Sequence, residues 1–162
     1  KQGRRIYYGA GKTGLMGALA DGALASGGEV IGLINDGLNL PHLVHSGLSG
    51  MVTVLNIHAR QARLNELADA MIALPGGFGT FAELFEALTW EQIGLHSKPI
   101  GILNLSGYFD PTIAMIDNAI DKHFVYAEHR RFFFVSEHPE ELLEMLDNFT
   151  PHQGVNRWME RP

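Results

Sequence analysis

The stretch "IALPGGFGTFAELFEALTW", residues 72–90, decides the fold: an apolar run stops at Pro75, glycines 76, 77 and 79 open the backbone, and helix-spaced apolar residues follow Thr80. A strand that ends in a glycine loop and opens a helix is the repeating unit of α/β proteins. The loop has two readings. Free N–H groups and the positive helix end make an anion site. Thr80-x-x-Glu83 also spells a capping box, in which Glu83 bonds back to the Thr80 backbone. A helical side chain leans towards its own N-terminus, so Glu83 points where an anion would bind. A carboxylate is tolerable there when it faces another part of the ligand, such as a sugar hydroxyl or a developing cationic carbon.

Outward from this unit, short β-branched or aromatic runs alternate with helical patterns, as in a parallel sheet with crossover helices. Strands are expected at Arg5 to Tyr8, Val30 to Ile34, Met51 to Leu55, Met71 to Leu74, Ile100 to Leu103 and Phe132 to Val135. Helices are expected at Leu15 to Ser26, Ala59 to Ala68, Phe81 to Gly94, Pro111 to His123 and Pro139 to Leu146. Gly27-Gly28 closes the first of these, and Asp110-Pro111 gives a capping side chain followed by proline at the first helical position. The expected class is α/β: a Rossmann-like, doubly wound, mostly parallel sheet with helices on both faces. It is expected as one domain over residues 1–149, with a polar tail over 150–162. In such sheets ligands sit outside the carboxyl ends of the strands, which selects the loops after Tyr8, Leu55 and Leu74.

Composition narrows the partners. The chain has 162 residues, 46% of them hydrophobic, and a formal net charge of −6. Its basic pairs, Arg4-Arg5 and Arg130-Arg131, fall short of the clustered charge that nucleic acid or an anionic membrane requires. No apolar run approaches a membrane span and no signal-peptide pattern opens the sequence, so the expected location is cytoplasmic. The absence of cysteine excludes disulfides, thiolate nucleophiles and Cys-ligated zinc.

The first glycine loop, "YYGAGKTGLMG" at residues 7–17, fits GxGxxG with Gly9, Gly11 and Gly14. Such glycines either admit a phosphate or permit close strand-to-helix packing. "GKT" is not a P-loop, because Ile6 stands where that pattern needs glycine. Asp36, at the end of the second strand, is the acid a dinucleotide site would use. In "VLNIHARQARLNELADA", residues 54–70, Arg60 lies in the first turn of a helix, where a cation opposes the dipole unless an anion is near. Arg63 is expected to be solvated, and His58 to be a cap or a packed side chain. His42-x-x-His45 has ligand-like spacing but no accompanying carboxylate motif, so no metal site is expected.

With these residues assembled, the chain resembles the LONELY GUY family of cytokinin-activating phosphoribohydrolases, also known as possible lysine decarboxylases. Its hallmark PGGxGTxxE is present as Pro75 to Glu83. "YGAGKTGLMG" is similar to the family's YGGGxxGLMG, "ALTWEQIGLHSKPIGILNLSGYFD" to its helix-strand segment, and Arg60 to the arginine of its MHxRK motif. The resemblance implies a nucleotide-binding domain that hydrolyses the N-glycosidic bond of AMP or an N6-substituted AMP to free base and ribose 5-phosphate. It also implies a homodimer and no cofactor.

By matching position, Arg60 and Glu83 would be the catalytic pair. Gly76, Gly77, Gly79 and Thr80 would cradle the phosphate, Gly9 and Gly11 would bind substrate from the first loop, and Thr89 would line the site. A carboxylate near the anomeric carbon can stabilise oxocarbenium charge, orient the ribose hydroxyls or activate water. Arg60 can hold phosphate or ribose bidentately. The chain departs from the family at Gln61, where a lysine is usual, at His42 in place of a glutamate, and at Ala10 in place of the second glycine of YGGG. The family's first strand, with its CGSS-like loop, has no counterpart in this sequence. Two alternatives remain beside the enzyme: a non-catalytic carrier of a nucleotide or of molybdenum cofactor, on a related fold, and an NAD enzyme resting on GxGxxG and Asp36.

Overall fold

Strands and helices alternate throughout residues 3–151, the part of the chain that the computed structural model describes. The chain falls into two units, Lys1–Ala68 and Asp69–Pro162. The expected tail over 150–162 lies almost wholly outside the described residues.

The first unit is a three-stranded parallel sheet in the order β1 (Arg5–Tyr8), β2 (Glu29–Asn35), β3 (Gly50–Val54). Helix α1 (Gly14–Ala25) connects β1 to β2, and α2 (Ile57–Leu67) follows β3; both pack on the central strand. Val30 and Ile34 share one face of β2 and Leu33 takes the other, so apolar side chains are buried on both faces, as parallel strands require. Val30 packs with Tyr8 and Ala20 of α1. Gly27 adopts φ +75°, and Gly28 N–H donates to Ala23 O at 2.8 Å, ending α1 with the left-handed turn its glycines foretell.

The second unit repeats the plan. Its parallel sheet runs β4 (Met71–Ala73), β5 (Ile100–Leu103), β6 (Phe133–Ser136), with β5 central and buried along its length. Ile100 and Ile102 join Leu84 and Ala87 of α3 (Phe78–Gln92), Ile116 of α4 (Asp110–Asp121) and Phe109 in the main core. On the opposite face, Leu103 meets Leu142 and Leu146 of α5 (Pro139–Asp147). Burying one such leucine contributes about 2 kcal/mol. Each sheet thus carries helices on both sides: the Rossmann-like α/β class is what the sequence predicts.

Three local expectations are corrected. Helix α3 begins at Phe78 rather than Phe81, with Gly77 as its N-cap and no side chain capping it. Thr80 is therefore the third residue of the helix, and the Thr80–Glu83 capping box does not form: with the start three residues earlier, these side chains stand past the cap position. Asp110 is not a cap either. It is the first residue of α4, and its Oδ1 accepts a hydrogen bond from Asn104 Nδ2 at 2.7 Å. At α2 the cap is Asn56, whose Oδ1 accepts from Ala59 N–H at 2.9 Å, so exposed His58 has no capping role.

Candidate active site

In each unit a glycine loop leaves the carboxyl end of a strand, and each loop is pinned by a tyrosine. After β1, the Tyr8 hydroxyl donates to Gly11 O at 3.2 Å. Burial, followed by the charge of Asp21, pushes the Tyr8 phenol up to about 12, so it remains a donor. An antiparallel bridge between Gly11 and Val44 holds the loop further, with Lys12 N–H donating to Leu43 O at 3.0 Å and His45 N–H to Ala10 O at 2.9 Å. The Lys12 ammonium donates to Pro41 O at 3.3 Å, a use unlike that of a P-loop lysine. Ala10 is fully buried at φ 62°, which explains why a glycine suits this position.

The same loop meets Arg60. A Cβ on Gly9 would stand 3.3 Å from Arg60 Nη1 and 3.2 Å from Met16 Cε, and one on Gly11 would stand 2.9 Å from the Met16 sulfur. Gly9 and Gly11 therefore leave room for a guanidinium and a thioether that lie against the loop. The structure places Arg60 and Met16 side by side against Gly9. Arg63 instead pairs with Glu66 at 2.6 Å on the exposed face of α2, a solvated arginine as expected. Asp36 is exposed just beyond β2.

His45 is a strut rather than a ligand. Its Nδ1 accepts from Gly47 N–H at 3.0 Å, so Nε2 carries the proton and donates to Asp21 Oδ1 at 2.9 Å, leaving neither nitrogen for a metal. Among the described residues no group of three or more His, Asp or Glu side chains could hold a metal ion. A hollow of about 350 Å³ beside His45, lined also by Val44 and Met51, contains none of the expected site residues.

In the second unit, β4 delivers the chain to Pro75 and the glycine loop. A Cβ on Gly76 would overlap Thr80 Oγ1, whereas Gly77 and Gly79 face open space. Gly76 O accepts a hydrogen bond from the Tyr108 hydroxyl. The N–H groups of Gly77, Phe78, Gly79 and Thr80 have no hydrogen-bond partner among the described residues. Four such donors at the positive end of a fifteen-residue helix are able to accept an anion. Glu83, part-buried, stands one turn beyond Thr80 on the same face of α3.

Thr89 is placed differently. It lies about 9 Å further along the helix axis than Glu83 and about a third of a turn round, exposed, with its hydroxyl donating to Phe85 O at 2.6 Å. The structure does not bring it together with Thr80 and Glu83.

Three residues escape the sequence reading. Met16 and Tyr108 stand in quoted motifs, but Met16 turns back on the glycines before its own helix and Tyr108 reaches a carbonyl 32 residues away, and nothing in local spacing announces either contact. Glu91 is the third member of the buried stripe of α3, after Leu84 and Ala87. Its Oε2 has no partner among the described residues, and burial pushes its carboxyl up to about 8. The sequence signal was a glutamate at an apolar register position.

Residues 16–146 match the family described as "Possible lysine decarboxylase". Among curated relatives, the chain is 38% identical over 146 residues to cytokinin riboside 5′-monophosphate phosphoribohydrolase LOG2 of Arabidopsis thaliana, covering 90% of this chain and 68% of that protein. It is 36% identical over 151 residues to the probable enzyme of the same name LOGL3 of Oryza sativa subsp. japonica, covering 93% and 72%. Among solved structures it is similar to the molybdenum cofactor binding protein of Rippkaea orientalis, with a TM-score of 0.66 and 21% identity over 90% of this chain and 77% of that one. This last likeness concerns the fold alone.

Proposed function

The chain belongs to the possible lysine decarboxylase family, and from that premise we propose that it is a phosphoribohydrolase releasing free base and ribose 5-phosphate from AMP or N6-substituted AMP. The observation that carries the reading is the PGGxGTxxE segment folded as an uncapped helix start, with four open N–H groups and a carboxylate one turn in. An uncapped, glycine-lined helix start suits a 5′-phosphate. Glu83 then faces the ribose rather than the phosphate.

In the proposed reaction water adds to the anomeric carbon as the C–N bond breaks, and the electron pair of that bond leaves with the base, which takes up a proton. Glu83 stabilises the oxocarbenium charge and orients the ribose hydroxyls or the attacking water. Arg60 holds an anionic or hydroxyl-bearing part of the substrate, Gly9 and Gly11 leave room for it, and Gly76, Gly77, Gly79 and Thr80 bind the phosphate. No cofactor is required. The working form is a homodimer in the cytoplasm, which sedimentation of the purified protein tests for assembly.

A chromatographic assay on AMP and a panel of N6-substituted AMPs tests the activity. Glu83→Gln is expected to lower kcat at least a hundredfold with the melting temperature preserved. Arg60→Ala is expected to raise KM, and the double variant to lose less than the product of the two single losses, as for residues acting on one substrate. No base released by wild type, alongside tight nucleotide binding, would indicate a carrier.

A further inference from the structure

Tyr108 reaches the second glycine loop from 32 residues along the chain. It stands in the loop between β5 and α4, and its hydroxyl donates to Gly76 O. We propose that Tyr108 is a positioning residue that sets the phosphate cradle by fixing the peptide between Gly76 and Gly77; this rests on the reading given above.

The argument is geometric. Every peptide bond among the described residues is trans, and in a trans peptide the C=O and the N–H point in opposite directions. Tyr108 holds the oxygen on one side, so the Gly77 N–H faces the other. A peptide flanked by glycines at 76 and 77 has little side-chain bulk to resist rotation. Without the tyrosine, that donor would be free to swing away from the cradle.

The tyrosine itself is held firmly. Its ring stacks on Phe81, with centroids 6.5 Å apart and planes at 15°, and lies edge-on to the fully buried Phe109 at 5.1 Å. The backbone beneath it is clamped by buried Asn104, whose Oδ1 accepts from Phe109 N–H at 2.7 Å while its Nδ2 donates to Asp110 Oδ1 at 2.7 Å. The Asn104 N–H donates to Ser136 O at 2.8 Å, tying the clamp to β6. Within this loop Ser106 and Gly107 both adopt positive φ, 52° and 71°, and a Cβ on Gly107 would stand 2.5 Å from Asp110 Oδ2. A left-handed serine is unfavourable and persists where its surroundings over-determine it. Here those surroundings deliver one hydroxyl to one glycine carbonyl.

The test is Tyr108→Phe, which keeps the ring and removes only the hydroxyl. Calorimetry would measure the affinity of wild type and variant for AMP, inorganic phosphate and adenosine, with kcat and KM for AMP alongside. The expected result is about a tenfold loss of affinity for AMP and phosphate, with adenosine binding and melting temperature unchanged. Equal affinities for AMP in the two proteins would overturn the proposal, as would a parallel loss for adenosine, which a merely structural role would produce. Tyr108→Leu separates the ring from the hydroxyl: the same loss of phosphate affinity with a lower melting temperature is expected. If wild type releases no base, the enzyme reading fails, and the phosphate affinities still decide the role of Tyr108. If wild type binds neither AMP nor phosphate, both fall.

Discussion

Two side chains on and beside α3 set opposite limits on stability with pH. Glu91 keeps its proton up to about pH 8, held by burial, whereas in an unfolded chain it ionises near 4.5. As pH rises from 4.5 to 8 the unfolded state releases a proton that the folded state retains, so stability falls by up to about 1.4 kcal/mol per pH unit. His96 acts in the other direction. Burial lowers its pKa against the help of its hydrogen bond to Ala87 O at 3.0 Å, with Lys98 adding to the lowering. As pH falls below about 6.5 the unfolded chain takes up a proton that the folded imidazole refuses, and stability is lost on the acidic side. Glu91→Gln should therefore be more stable than wild type by about 2 kcal/mol or more at pH 8, with a much smaller gain at pH 5. Urea unfolding at the two pH values measures this, and an unchanged pH slope would show that Glu91 ionises freely in the folded state.

At the scale of elements, helix α1 offers a controlled comparison between two of its glycines. Glycine inside a helix costs about 1 kcal/mol relative to alanine. Gly22 is exposed with open space around it, so Gly22→Ala should stabilise by up to that amount. Gly17 is buried, and a Cβ there would overlap the backbone oxygen of Lys12. Gly17→Ala should destabilise by about 2 kcal/mol or more, since backbone cannot move aside as a flexible side chain can. Thermal melts of the two variants should shift in opposite directions.

The same helix shows what the sequence could carry. Its apolar spacing and its glycine close were legible, because they depend on residues within a few positions of one another. The need for Gly17 was not, because it arises from a loop folding back. The motif at Pro75 to Glu83 revealed its strand, loop and helix, but not the register of its cap. Thr80-x-x-Glu83 satisfies the local rule for a helix start, yet Gly77 supplies the start three residues earlier. Arg60 stood out because a cation in a first turn breaks a local rule. Tyr108 broke none, and its hydrogen bond spans 32 residues.

Over the whole molecule, alternation of strands and helices made the α/β class readable, and the four strand pairings among the described residues are parallel as that alternation requires. The division into two units was not readable, since no linker composition marks the passage from Ala68 to Asp69. No helix among the described residues is long and apolar enough to cross a membrane. The two units share one device, a tyrosine hydroxyl on a glycine carbonyl, and use it to different ends. At Gly11 the N–H of the same peptide, that of Lys12, is bonded to Leu43 O. At Gly76 the corresponding N–H, that of Gly77, has no hydrogen-bond partner among the described residues. The two amides should therefore differ in deuterium uptake. Lys12 should be protected in the resting protein and Gly77 should label rapidly, and saturating phosphate should slow labelling at Gly77 while leaving Lys12 as it was. Hydrogen exchange resolved at these two peptides would then report cradle occupancy directly, without any turnover to observe.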